Sequence, residues 1–473
     1  MRESNWMKIP REIECALNFL NKSMVFTDRE GNEEQFDGEA YIVGGCIRDA
    51  ILGREPHDWD ICTSLEPDKL KRKLNILYKG EGKFIDTGLK HGTVTAFLDG
   101  YGYCEITTFR SDGDYSDGRH PDKVLFVKNI ESDLERRDFT MNAIAYNPYR
   151  GFVDPFGGIK DIDKGVIRCV GNPNKRFSED ALRIMRAWRF QCQLGFSIEE
   201  NTLAIMLKQK HLSSLFVNVS AERKREEFLK AFEHTDNFIK SMMGVGQSIM
   251  SVILPEWEDV VGFDQNNKYH IYTVDEHILS VLKYCEDCDL ITRLSAFLHD
   301  LGKPSCYTED VDGNGHFYGH PKMSALIANK FMLNLRFDNE TREKVVQLVA
   351  NHDVELAPTK RSVKRLLNKL GEEQMRRLMS LKKADMMSHN PKYNESRMDD
   401  LYKAEELLNE VLSESECFSL RDLDIDGHDL IEIGFKTGKH LGVVLNTLLD
   451  DVISEKLENT KEVLLERAKE MLE

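Results

Sequence analysis

The feature that most constrains this chain is a change of hydrophobic period near Ser178. Ahead of it, short apolar runs alternate with glycine turns. Tyr41-Ile42-Val43, Thr93 to Leu98, Tyr103 to Phe109 and Val124 to Val127 each predict a β-strand. Beyond it, apolar residues recur at helical spacing through long runs without proline. These cover Glu179 to Gln193, Ala221 to Glu233, Val274 to Glu286 and Lys322 to Leu335, with a further amphipathic stretch from Glu455 to Leu472. The fold class that follows is α+β, a mixed head followed by a long helical remainder. At 473 residues the chain exceeds one compact core, so two to four domains are expected. Its apolar runs are short and broken by charge, so no bilayer span is expected, and Met1 to Asn21 lacks the pattern of a secretory leader. Ten mostly scattered cysteines read as reduced thiols, and the expected compartment is the cytoplasm. The one CxxC, Cys285 with Cys288, is at most half a zinc site, because no second pair accompanies it.

The first chemistry lies in Tyr41 to Asp60, YIVGGCIRDAILGREPHDWD. A strand runs into Gly44-Gly45 and then into a helical pattern. Paired glycines at such a turn let backbone N–H groups approach a phosphate, and Arg48 in the first helical turn can complete an anion site. A plain tight turn would look the same. Next come Asp58 and Asp60, which on a strand share one face. Two carboxylates there repel unless a cation bridges them, and hard oxygen ligands suit Mg²⁺. A solvated acidic turn is the bland reading; the short spacing after a phosphate-type turn favours the metal. Glu105, on YCEITTFR, is either a third carboxylate or an exposed strand residue.

A second pattern is EDALRIMRAWRF, Glu179 to Phe190. Asp180, Arg183, Arg186 and Arg189 recur every three residues and so wind slowly around one side of a helix, with Leu182, Met185 and Trp188 mostly on other faces. An Asp and an Arg one turn apart can accept from and donate to the edge of a nucleobase. The same residues would also suit a solvent face, since Glu179 and Arg183 form a favourable i,i+4 pair.

GGCIRD followed by DWD resembles the head motif of class II CCA-adding enzymes and bacterial poly(A) polymerases, within the polymerase β superfamily. Further stretches resemble that family in order: FRSDGDYSDGRHPDKVLFV (109–127), LERRDFTMNAIAY (134–146), DPFGG (154–158), EDALRIMRAWRF and SAERKREEFLK (220–230). The resemblance covers roughly the first half of the chain. It implies a nucleotidyltransferase head over 1–165 and a helical neck over 166–250. Asp58, Asp60 and Glu105 would be catalytic, with Asp58 and Asp60 on Mg²⁺. Gly45, Arg48 and Arg137 would contact nucleotide. Asp180 and Arg183 would select CTP or ATP without a template, supported by Arg186 and Arg189, while Asp138 either holds neighbouring arginines or is structural. An RNA 3′-hydroxyl would attack the α-phosphate and displace pyrophosphate. The implied partners are tRNA, CTP and ATP.

In the second half, His277, His299-Asp300 within LHDLGKP, His320, His352 and Asp385 are spread over helical sequence. Imidazoles with carboxylates suit a divalent transition metal, and helices can gather dispersed ligands. LHDLGKP resembles the signature of HD-domain phosphohydrolases. That implies an HD domain over 251–395 with His277, His299, Asp300 and Asp385 on metal, His320 and His352 lining a phosphate or second-metal site, and a helical tail over 396–473. The net charge of −17 opposes RNA approach, so binding would rest on a local basic cleft. The competing readings are a poly(A) polymerase, an HD hydrolase with an RNA-binding head, and a non-catalytic RNA-binding protein.

Overall fold

The computed structural model describes residues 7–27, 30–77, 84–85, 92–113, 123–208, 214, 216–414 and 416–472. Residues 114–122, within the stretch FRSDGDYSDGRHPDKVLFV, lie outside them. The chain forms two compact units, Met1–Val252 and Ile253–Glu473.

The first unit is built on a seven-stranded sheet. Its strands are β1 (Ala40–Val43), β2 (Asp60–Thr63), β3 (Phe84–Ile85), β4 (Thr93–Leu98), β5 (Gly102–Thr108), β6 (Ala145–Asn147) and β7 (Gly151–Val153), in the order β7-β6-β1-β2-β5-β4-β3. All neighbours are antiparallel except β2 and β5. The register decides where the motifs meet. Val43 pairs with Asp60, so the Gly44 turn leaves β1 beside the first residue of β2. Ala145 pairs with Val43 from the other side, which brings the RRDFTMNA segment to the same sheet end. Gly44 has φ 83°, a left-handed value that glycine adopts without strain, and the chain turns there into α1 (Gly45–Ile51). The carboxylate pair differs in one respect from the strand placement expected for it. β2 begins only at Asp60, and Asp58 lies on the segment entering it.

Helices follow the sheet. The continuous helix expected over Glu179 to Gln193 is broken. α2 (Pro173–Glu179) stops, Asp180 is extended at φ −149° and ψ 104°, and α3 (Leu182–Leu194) begins beyond Ala181. The Asp180 carboxylate accepts the Leu182 N–H at 3.0 Å, a local bond that competes with helix continuation. On α3, Met185 and Trp188 are fully buried as their spacing predicts. Trp188 packs on Phe228 and Phe238 and donates its indole N–H to Ser241 at 2.8 Å. Phe228 comes from α4 (Ala221–Phe232), whose start is capped by Ser220.

The second unit is almost wholly helical. α5 (Val274–Tyr284), α6 (Leu290–Leu298), α7 (His320–Asn334), α8 (Asn339–Asn351) and α9 (Glu372–Met387) gather around a histidine cluster, and α10 (Glu395–Ser413) follows. The helix expected over Glu455 to Leu472 is shorter, Lys461–Glu470, because Glu455 takes a left-handed φ of 59° after the preceding helix ends at Ile453.

One close approach in the first unit makes a test of this packing. A Cβ on Gly158 would lie 2.1 Å from the Thr140 carbonyl oxygen and 2.8 Å from Ile144 Cγ1. Gly158→Ala should therefore destabilise the first unit by about 1–3 kcal/mol, read as a lower Tm or urea midpoint.

Candidate functional site

A cavity of about 790 Å³ opens in the first unit. Asp58, Asp60, Gly45, Arg48, Arg137, Asp180, Arg183, Arg186 and Arg189 all line it. Residues separated by more than a hundred positions thus face one space. Glu105 does not line it. It is exposed on β5, one residue before Ile106, which pairs with Ile61, so it flanks Asp60 along the sheet.

The carboxylate wall is the electrostatically costly part. Trp59 is buried, and Asp58 and Asp60 on either side of it face the cavity. Burial pushes the Asp60 carboxyl up, Arg137 pulls it down, and Glu105 and Asp58 push it up again, leaving it at about 6. Unpaired carboxylates so placed form a donor set that fits a hard divalent cation. A Cβ on Gly44 would sit 3.2 Å from Arg137 Nη1 and 3.8 Å from Asp60 Oδ2, so the turn, the guanidinium and the carboxylate crowd one spot.

The lining also carries a row of arginines, each held by the fold. Asp138 takes Arg186 through two nitrogens, Nε at 2.8 Å and Nη2 at 2.7 Å, while its other oxygen accepts from Phe139 N and Asn142 Nδ2. Burial pushes the Asp138 carboxyl up, but Arg186 and Asn142 outweigh it and hold the group well below the usual range. Arg189 donates to Glu227 at 2.6 Å and to Gln193 at 2.9 Å. Arg183 is fixed by Glu179 at 2.6 Å and by the carbonyls of Arg176 and Arg136. Arg48 bonds Asp49 through Nε and Nη2 and Asn142 through Nη1. The Phe190 ring carries three guanidinium carbons, Arg189 at 3.9 Å, Arg48 at 5.0 Å and Arg186 at 5.6 Å from its centroid.

Asp180 and Arg183 are not one turn apart on a single helix, as their spacing suggested, because the chain breaks between α2 and α3. Asp180 is instead gripped by Arg223 of α4, with Nη2 at 2.7 Å from Oδ2 and Nη1 at 3.4 Å from Oδ1. Arg223 and Glu227 escape sequence reasoning because their roles exist only once α4 packs on α3. Their spacing of four on one helix face was the available signal.

The second unit gathers His277, His299, Asp300 and Asp385, and also His320 and His352. His277 Nε2 lies 2.9 Å from Asp385 Oδ1 and 3.4 Å from Asp300 Oδ2; His299 Nε2 lies 3.1 Å from Asp300 Oδ2. His320 and His352 face the other oxygen of Asp300 at 3.3 and 3.5 Å. Lys303 reaches Asp300 Oδ2 at 2.7 Å. The ring tautomers follow from the backbone. Nδ1 of His299, His320 and His352 lies 2.7–2.8 Å from the carbonyl oxygens of Ala296, Phe317 and Val349. A carbonyl only accepts, so in the neutral rings Nδ1 carries the proton and Nε2 presents a lone pair to the cluster. Among the described residues, His299 Nε2, both nitrogens of His277 and Asp300 Oδ1 have no aligned hydrogen bond. Converging lone pairs without partners fit a cation. His270 and His389 complete a further group with His277; their sequence context carried no signal.

Comparison with known proteins places these features. The model described as the Poly A polymerase head domain matches residues 40–168, that of the RNA and SrmB-binding site of polymerase A matches 195–260, and that of tRNA nucleotidyltransferase domain 2 matches 320–468. A CCA-adding enzyme of Ligilactobacillus salivarius is 31% identical over 98% of both chains. One from Lactobacillus delbrueckii subsp. bulgaricus is 49% identical over 42% of this chain, and the match spans about half, 47%, of that relative's length. The structure of the Bacillus stearothermophilus CCA-adding enzyme in complex with CTP aligns with a TM-score of 0.67 at 26% identity over 98% of both chains.

Asp60 supplies a pH test. Its folded-state pKa of about 6 exceeds the ordinary 3.8, so the folded head holds the proton more tightly than the unfolded chain. Without divalent cations, head stability should then fall as pH rises from about 4 through 6, by ~1–3 kcal/mol in total. Asp60→Asn should remove that fall. Equal stabilities of the two proteins below pH 4 and a more stable variant above pH 6, measured by urea unfolding, are the expected result.

Proposed function

The chain belongs to the CCA-adding enzyme family, and from that premise we propose that it is a template-independent tRNA nucleotidyltransferase, adding CCA to tRNA 3′ ends from CTP and ATP with release of pyrophosphate. The observation that carries this reading is one cavity lined both by carboxylates and by held arginines. Asp58 and Asp60 would hold Mg²⁺, which when bound lends positive charge to the attacking 3′-hydroxyl and to the phosphates. Glu105 acts through its charge on Asp60. Gly45, Arg48 and Arg137 bind the triphosphate, whose negative charge they offset as pyrophosphate leaves. Asp180 and Arg183 read the base edge, one accepting and one donating, while Arg186 and Arg189 are held in place by Asp138 and Glu227. Fixed donors of this kind act by positioning. Eight basic side chains against six carboxylates around the cavity give RNA and nucleotide a local attraction that the net charge of −17 lacks.

Among the described residues no helix is long and apolar enough to cross a membrane. All ten cysteines are free, which suits work in the reducing cytoplasm. We assign the head to 1–165, the neck to 166–250, an HD domain to 251–395 and the tail to 396–473. For the HD domain the reading is a divalent transition metal on His277, His299, Asp300 and Asp385, with phosphohydrolase activity. The lone pairs converging on Asp300 favour it.

Primer extension on tRNAs ending before CCA, after C and after CC tests the main reading, with Mg²⁺ and CTP, ATP or both. Ordered growth that stops at CCA, abolished in Asp58→Ala/Asp60→Ala, is expected. Unlimited A addition would make the chain a poly(A) polymerase, and no extension would leave the histidine cluster as its chemistry. In the same assay Asp180→Ala and Arg183→Ala should each lower kcat/KM at least tenfold and blur the choice between CTP and ATP.

A further inference from the structure

His389 sits just beyond α9, buried at 8% exposure, with its ring stacked at 5.2 Å and 11° on that of His277. Arg397 Nη1 lies 3.1 Å from His389 Nδ1. A guanidinium has only N–H donors, so His389 Nδ1 must accept. The neutral ring then carries its proton on Nε2, and Nε2 faces Asp385 Oδ1 at 3.6 Å. This is the opposite tautomer to that of His299, His320 and His352, whose Nδ1 atoms donate to backbone carbonyls. A ring with its proton on Nε2 offers the cluster a donor and cannot offer it a ligand. The grouping of His270, His277 and His389 by distance therefore does not make His389 a ligand.

We infer that His389 and Arg397 form a positioning relay for Asp385: Arg397 sets the His389 tautomer, and the His389 Nε2–H orients the Asp385 carboxylate toward the metal. The inference rests on the reading of His277, His299, Asp300 and Asp385 as metal ligands. At 3.6 Å the Nε2–Asp385 approach is an electrostatic contact rather than a hydrogen bond. Asp300 has its own neighbours, Lys303 at 2.7 Å from Oδ2 and the Nε2 atoms of His320 and His352 at 3.3 and 3.5 Å from Oδ1. Outer partners of metal ligands commonly change affinity by about 10–100-fold when lost.

The test uses the full chain carrying Asp58→Ala/Asp60→Ala, so that the head does not bind metal, and Co²⁺ as the probe, followed by its visible absorption and by metal content per chain. In this background His389→Leu should weaken Co²⁺ binding about 10–100-fold. His389→Gln should stay within about threefold of the parent, because its amide can accept from Arg397 and donate to Asp385. Arg397→Met, a surface change that leaves the core intact, should fall between them. Equal affinity in parent, His389→Leu and Arg397→Met would overturn the relay while leaving the metal site standing. A His389→Gln as weak as His389→Leu would overturn it too, showing that ring packing alone matters. If the parent binds no Co²⁺, or His299→Ala binds as tightly as the parent, the metal-site reading fails and the relay with it.

Discussion

The pairing of arginines with carboxylates, most of them from distant segments, is the interaction on which the first unit depends. Arg186 rests on Asp138, Arg189 on Glu227, Arg183 on Glu179 and Asp180 on Arg223. Each pair ties one element to another, or one turn to the next, and each leaves its arginine along the cavity wall. Guanidinium groups so close together would repel if the intervening carboxylates were absent, and burying them unpaired would be costly. The carboxylates therefore let an acidic chain build a basic wall. The geometry of that wall is set by planar, multi-point contacts rather than by flexible surface charge.

The same logic operates at the sheet. The pairing of Val43 with Asp60 and of Ala145 with Val43 converts three separate stretches of sequence into one rim. Neither pairing is local, yet each strand carries its motif at the end that the register brings to the rim. In the second unit the local rule is different. His299, His320 and His352 each bond a carbonyl three residues earlier, two of them just past a helix C-terminus and His320 where a helix begins. Tautomer choice is therefore written into the turn that bears each residue. Only the direction in which the rings converge depends on tertiary packing.

Legibility from sequence divides along that line. The strand into Gly44-Gly45, the buried face of Met185 and Trp188, and the spacing of the arginines on α3 are local patterns, and the structure reproduces them. The break at Asp180 was not legible, since the stretch from Glu179 to Gln193 keeps a helical apolar period across it. What decides is a side-chain bond to Leu182 N and the grip of Arg223 from 43 residues away. Arg223, Glu227, His389 and Arg397 stayed hidden for the same reason: each acts on a residue whose position only the fold determines. Glu105 reads as either a third carboxylate or an exposed strand residue; it is exposed, beside Asp60 along the sheet and outside the cavity lining, a choice that strand alternation alone does not make.

The two faces of α3 carry a consequence for how such a chain can vary. Arg183, Arg186 and Arg189 face the cavity, while Met185, Trp188 and Cys192 sit in the core, and one residue of helix corresponds to a rotation of about 100°. A single inserted or deleted residue between Asp180 and Arg189 would swing the remaining arginines inward and the indole outward together. The length of this stretch is therefore fixed by the need to keep both faces in phase.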